Sequence, residues 1–117
     1  MIEKAVQAAL EPVTPGAVFP GTAPQGAQLP RITYQGIGGK PNVTLRGPSS
    51  TQNARMQIDA YAKSLLEALA VMDGAFLALT RDAVLKAIPL EGNPRWTKEA
   101  DTGLWRASRD FSIWFTN

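Results

Sequence analysis

Cysteine and histidine are both missing from this chain of 117 residues. Their absence excludes disulfides, zinc sites with thiolate or imidazole ligands, cysteine nucleophiles and histidine acid–base catalysis. We expect no metal and no cofactor. The longest apolar run, residues 65–72, is interrupted by Glu67 and is far shorter than the ~18 residues that span a bilayer, so no membrane contact is predicted. The N-terminus also lacks the apolar core of a secretory signal, which indicates a cytosolic protein.

Acidic residues are missing from residues 12–58, although the whole chain has ten of them against twelve basic residues. The charged residues of this stretch are all basic: Arg31, Lys40, Arg46 and Arg55. The excess positive charge of the chain therefore arises in one segment. Lysine and arginine supply the affinity of nucleic-acid-binding proteins, but a nucleic-acid-binding domain usually has a denser basic patch. A small basic accessory protein that binds nucleic acid stays an alternative function.

The hydrophobic pattern predicts one α+β domain over residues 1–117. Helices are predicted at residues 2–10 and after a capping box at Ser64, the second ending at Gly74 or continuing to Leu79. Strands are predicted at 31–38, 53–62, 83–90 and 104–115. A Pro/Gly-rich connector at 12–30 and a long loop at 38–52 join these elements. This order favours a single sheet of about four strands, antiparallel or mixed, with two helices packed on one face.

The long loop holds four candidate interaction residues. Lys40 and Arg46 are cations without an acidic neighbour in the sequence, and Val43 and Leu45 form a small apolar island. Loops of this length inside a small domain are usually functional. We therefore expect the loop to face a neighbouring subunit, another protein or a lumen.

The last predicted strand supplies two more candidates. Arg109 falls on its apolar face, where a lone charge needs a partner. That partner lies either at the sheet edge or across an interface. Trp105 and Trp114 are nine residues apart and therefore point to opposite faces. We expect Trp105 in the core, whereas Trp114 fits the core and an interface equally well.

Carboxylates fall in two places. Asp59 and Asp110 lie on the polar faces of their strands, where we expect ion pairs or subunit contacts with arginines rather than catalysis. The candidate partners are Arg55, Arg106 and Arg109, and Arg55 is itself a candidate interaction residue. The polar residues 91–102 hold Glu91, Glu99 and Asp101, which would serve a small hydrolase. The intervening basic residues favour a solvated loop there instead.

Three stretches of sequence carry a resemblance to a known family. The connector reads FPGTAPQGAQLP over residues 19–30, a strand reads RMQIDAYA over 55–62 and runs into a helix, and residues 102–114 read TGLWRASRDFSIW. With the intervening elements, they resemble the tail completion, or tail terminator, proteins of tailed bacteriophages and prophages. The resemblance covers nearly the whole chain.

The resemblance implies a structural role without catalysis. Such proteins assemble as rings, with a hexamer favoured, that cap the tail tube, end its polymerisation and join the tail to the head connector. The implied partners are further copies of this chain, the tail tube protein and the head-completion or connector protein, with DNA passing through the ring as a further contact. The implied location is the host cytoplasm during assembly and then the tail–neck junction of the virion.

Overall fold

A computed structural model describes residues 2–40, 43–44, 47–48 and 51–116, and these residues form two helices and eight strands. The helices are α1 (Ile2–Leu10) and α2 (Leu65–Thr80). The strands of the main sheet are β1 (Val18–Pro20), β2 (Arg31–Gly36), β5 (Thr51–Ala62), β6 (Ile88–Pro89), β7 (Arg95–Lys98) and β8 (Trp105–Thr116). A separate small hairpin consists of β3 (Val43–Thr44) and β4 (Gly47–Pro48). The predicted α+β class is confirmed.

The main sheet is mixed and has the strand order β1-β2-β5-β8-β6, with β7 also paired to β8. Its centre is the antiparallel ladder of β5 and β8, which pairs all twelve residues of each strand from Thr51↔Thr116 to Ala62↔Trp105. Strand β1 runs parallel to β2, and the other pairs of this sheet are antiparallel. Six strands therefore replace the predicted four. The two additional strands, β1 and β7, are too short for an alternating pattern to indicate them.

Both helices lie on one face of the sheet, as predicted. The core between them consists of small and medium apolar side chains with Phe111 fully buried at the centre. Helix α2 begins after Ser64, whose hydroxyl accepts a hydrogen bond from the Glu67 amide at 3.2 Å. It continues through Gly74 to Thr80, and a Cβ at Gly74 would lie only 3.1 Å from Cγ1 of Val13. The glycine thus permits close packing of the segment after α1 rather than ending the helix.

The predicted strand at 83–90 is wrong for most of its length. Asp82 Oδ1 accepts hydrogen bonds from the amides of Val84 and Leu85, both at 2.9 Å, and this local contact holds residues 83–85 in a turn. Only Ile88–Pro89 forms a strand, paired antiparallel with β8. The predicted loop at 91–102 contains β7 instead. All four residues of β7 are exposed, so no apolar alternation marks it in the sequence.

The connector and the long loop both contain strands. Residues 12–30 include β1, an edge strand that the frequent prolines conceal. In the loop, residues 38–40 run beside β5, where the Arg55 amide donates to the Gly38 carbonyl at 2.6 Å. The hairpin β3–β4 follows, and β5 begins two residues before the predicted start. Leu45 and Arg46 lie outside the described residues.

Candidate functional site

The face of the sheet opposite the helices is polar, and no helix of the described chain covers it. The alternation of β5 and β8 places Asn53, Arg55, Gln57 and Asp59 there, beside Ser108, Asp110 and Ser112. Several of these side chains are nevertheless buried, among them Asp59 and Asp110 at 5% exposure each. Longer neighbouring side chains therefore shield them from solvent. We call this surface the uncovered face.

Asp110 joins two arginines on the uncovered face. Its Oδ2 accepts hydrogen bonds from Nη2 and Nε of Arg55 at 2.8 and 3.2 Å, and its Oδ1 accepts from Nη2 of Arg95 at 2.8 Å. Nε of Arg95 also donates to Glu91 at 2.8 Å. Burial lowers the pKa of Arg95, but the hydrogen bond with Glu91 and the charges of Asp110, Glu91 and Asp59 together raise that pKa above its ordinary value. The Arg55–Asp110 pair confirms one of the predicted ion pairs.

Neutral hydrogen-bond donors hold the other polar side chains of the uncovered face in place. Asp59 accepts hydrogen bonds from the Ser108 hydroxyl and from Nε2 of Gln57, the latter at 3.1 Å. Asn53 donates to the Ser112 hydroxyl at 2.8 Å and accepts from the Lys40 amide at 2.9 Å. These bonds tie β5 to β8 and to the segment after β2. The floor of this face is therefore held in one arrangement.

A groove of about 560 Å³ lies at one end of the uncovered face. Its floor is Asn53, Arg55 and Ser112, and its walls are Ile37 and Lys40 on one side and Leu90 on the other. Ile37 and Leu90 are 40% and 45% exposed, and both line the same groove. The groove therefore presents both apolar walls and positive charge.

Two more exposed apolar residues extend this surface along β8. Ile88 is 54% exposed and pairs with Ser112, which places it on the uncovered face beside the groove. Trp114 is 42% exposed and lies two residues beyond Ser112 on the same face. Tryptophan and clustered apolar side chains on a protein surface mark interaction sites. We call the groove together with Ile88 and Trp114 the sheet groove.

Three of the sequence-predicted candidates meet at this surface. Lys40 and Arg55 line the groove, and Trp114 lies beside it. The Lys40 ammonium forms no ion pair with any residue that the structure describes. Val43 is in β3, whereas the candidates Leu45 and Arg46 are not among the described residues.

Arg109 is not part of this surface. It lies on the helix-covered face and is 6% exposed. Its guanidinium stands 4.7 Å from the centre of the Phe76 ring and donates a hydrogen bond to the Gly92 carbonyl. Its Nε has no hydrogen-bond partner among the described residues. The partners of this buried charge are therefore the aromatic ring of Phe76 and the backbone carbonyl of Gly92.

Sequence reasoning missed Ile37, Ile88 and Leu90 as surface residues. All three lie within the predicted strands at 31–38 and 83–90, and nothing in the sequence pattern indicates that their side chains are exposed. The carboxylates at 91–101 are distributed between separate contacts: Glu91 binds Arg95, and Glu99 accepts from the Thr102 hydroxyl at 3.2 Å. Within the described residues, no group of three acidic side chains is placed to hold a metal ion.

A second groove, of about 420 Å³, lies between α1 and the β1–β2 edge. Tyr34 lines it and donates a hydrogen bond from its hydroxyl to Oε1 of Gln7 at 2.8 Å. Burial raises the pKa of Tyr34, and the nearby charge of Glu3 raises it further. This contact fixes α1 on the sheet, and the charged side chains that line the groove are Glu3 and Lys4 of α1 and Glu11 just after it.

Comparison with known proteins connects this chain to a family. A chain in the virion of a native gene transfer agent particle has a similar structure, with a TM-score of 0.63 and 14% sequence identity over 94% of this chain and 86% of that one. At this identity the likeness shows a shared fold. No curated protein matches the sequence. None of the described helices is long and apolar enough to cross a membrane. The family of tail completion protein gp17 matches residues 3–116, and the chain belongs to this family.

Proposed function

We propose that the chain is a structural subunit that completes a phage tail: it assembles as a ring, caps the tail tube, ends its polymerisation and joins the tail to the head connector. The observation that carries this proposal is the family match over residues 3–116. The similar fold in a virion of a gene transfer agent supports it. In such a role the protein acts by contact, at the tail–neck junction, after assembly in the host cytoplasm.

The sheet groove supplies the kind of surface that this role needs. A subunit of a ring uses two different patches, one for each neighbour. A stable contact of ordinary size covers about 800 Å² on each partner. The groove, with Ile88 and Trp114 beside it, offers exposed apolar side chains around a rigid polar floor. Apolar anchors that are surrounded by polar contacts are typical of the centre of an interface.

The alternative of a nucleic-acid-binding accessory protein gains little support from the same surface. Of the basic residues in the acid-free segment, Arg55 is paired with Asp110, and Arg31 donates to the Ala27 carbonyl and lies 5.5 Å from the centre of the Tyr61 ring. The ion pair with Asp110 offsets the charge of Arg55, and the contacts of Arg31 hold its guanidinium against its own chain. A gel shift that weakens steeply with salt would favour this alternative. We expect no such shift.

The experiment is complementation in cells that produce the particle without this chain. Lys40→Glu and Arg46→Glu reverse the charges of the predicted contact loop, and Lys4→Glu reverses an exposed charge on α1 as the control. We expect the two loop variants to fold and to leave tails unjoined or of irregular length in electron micrographs. The control is expected to restore normal particles.

Light scattering of the purified chain gives the second measurement. A closed ring, or a monomer that forms a ring only on tail tubes, agrees with the proposal. A permanent monomer that shifts DNA, together with normal tails from cells lacking the chain, contradicts it. Normal tails from both loop variants would contradict the role of the loop while leaving the proposed function in place.

A further inference from the structure

Helix α2 has a second apolar face that its own domain does not cover. Its sixteen residues include only four that are not apolar: Glu67, Asp73, Gly74 and Thr80. One side packs on β5 and β8 through Ala68, Met72, Ala75 and Leu79. A helix that is apolar all round is usually buried all round. The opposite side of α2 therefore calls for a partner.

The exposed side of α2 is one continuous stripe. Leu66, Ala70, Asp73 and Leu77 are all exposed, and their spacing of three and four residues places them in one row along the helix. Leu66 is 78% and Leu77 41% exposed. Asp73 lies within the row and Glu67 flanks it, while α2 itself has no basic residue. We call this row the helix stripe; it is apolar and acidic.

The sheet groove complements the helix stripe in apolar character and in charge. It offers apolar walls at Ile37 and Leu90, and its charges are the ammonium of Lys40, which has no ion pair among the described residues, and the exposed part of Arg55. The helix stripe offers leucines with carboxylates between and beside them. Complementary potentials across two apolar patches favour a specific contact between them. Both patches also lie on the same chain, so a second copy supplies the partner without any other protein.

We propose that the helix stripe of one subunit docks in the sheet groove of the next. The two patches are on opposite sides of the molecule, because α2 packs on the covered face and the groove lies on the uncovered face. The contact is therefore head-to-tail, and such contacts close into a ring when the rotation between neighbours allows it. The inference rests on the proposed ring and names the surfaces that would build it.

The test uses two variants: one blocks the sheet groove, and the other blocks the helix stripe. Leu90→Asp places a negative charge in the groove and leaves the helix stripe intact. Leu77→Lys places a positive charge on the stripe in the last turn of α2, where a cation suits the helix dipole, and leaves the groove intact. We expect each variant to be monomeric by light scattering. An equimolar mixture should form a 1:1 dimer, because one intact stripe then meets one intact groove.

Matched controls carry the same charge changes elsewhere. Thr97→Asp changes an exposed residue at the far end of the uncovered face, and Ala8→Lys changes an exposed residue on α1. Both controls are expected to oligomerise like the original chain, and circular dichroism establishes that all variants fold. The contact should also weaken as salt concentration rises, since charge complementarity is screened.

Cross-linking captures the contact even where it is weak. The natural chain has no cysteine, so Leu90→Cys and Leu77→Cys introduce single reactive thiols. A short thiol cross-linker should join the two variants when they are mixed, and should join neither variant to itself. Self-cross-linking of Leu90→Cys would indicate a groove-to-groove contact and overturn the inference, as would the absence of any mixed dimer. If light scattering nevertheless shows a closed ring, the proposed function stands and only this assignment of surfaces fails.

Discussion

The ion-pair network around Asp110 should respond to substitution in a strongly non-additive way. Asp110 is buried, with a side chain that is 7% exposed, whereas its partners Arg55 and Arg95 are 49% and 52% exposed. Replacing one arginine by glutamine leaves the carboxylate with the other. Exposed ion pairs contribute roughly 0.2–1 kcal/mol, so we expect Arg55→Gln and Arg95→Gln each to cost about 1 kcal/mol or less.

The double variant is different because it leaves a buried carboxylate without a cation. Removing the partners of a buried charge costs about 3–5 kcal/mol. Since water reaches Asp110 more easily once both arginines are gone, we expect a total near the lower end, about 3 kcal/mol. The double variant should therefore exceed the sum of the single variants by about 1–2 kcal/mol. Adding Asp110→Asn to the double variant should recover part of the loss.

Urea unfolding followed by tryptophan fluorescence measures these free energies, at concentrations where the chain is monomeric. Lys40→Gln is the control, because this ammonium has no ion pair among the described residues, and its effect should stay within about 0.5 kcal/mol. Additivity of the two arginine substitutions within about 0.5 kcal/mol would refute the reasoning. So would a triple variant that is less stable than the double variant.

Three further substitutions test other parts of the structure by the same unfolding assay. Tyr34→Phe should cost about 1 kcal/mol at neutral pH through its lost hydrogen bond. Because the folded state raises the pKa of this tyrosine, the original chain should also lose stability as the pH rises above about 10, and the variant should lose less. Gly39→Ala should cost about 1–3 kcal/mol, since its Cβ would lie 2.1 Å from the Asn53 carbonyl oxygen, whereas Gly36→Ala, which meets nothing within 4 Å, should cost less. Arg109→Met should be neutral or stabilising by about 1 kcal/mol, because it replaces a buried cation by an apolar side chain; a large loss would contradict this.

Long periodic segments of the sequence were sufficient to predict most of the fold. Helix α2 and strands β5 and β8 each repeat their apolar positions over twelve or more residues, and their predicted bounds differ from the observed ones by no more than two residues once α2 is taken past Gly74. Short elements were missed because tertiary contacts determine them. Strand β7 has four exposed residues and exists through its pairing with β8.

The candidate site was only partly predictable for a related reason. Lys40, Arg55 and Trp114 could be selected from charge and composition, and they do lie on one surface. The apolar walls could not be found in this way, because Ile37 and Leu90 are single apolar residues near the ends of two predicted strands, and only the fold brings them to the same groove. Arg109 shows the reverse case: its position on an apolar face was predicted, but its partner, the Phe76 ring, comes from a helix more than thirty residues away in sequence.

The uneven distribution of charge along the sequence places opposite charges on opposite sides of the folded chain, which favours head-to-tail assembly. The acid-free stretch supplies the exposed cations Lys40 and Arg55 to the uncovered face, where Asp59 and Asp110 are buried, whereas the exposed acidic residues of α2, Glu67 and Asp73, lie on the other side of the sheet. A surface that pairs with itself would bring like charges together, because each copy would present the same cations or the same carboxylates. A contact between the two different surfaces brings opposite charges together at every interface of a ring. The segregation of charge therefore opposes isologous pairing and supports the head-to-tail contact between the helix stripe and the sheet groove.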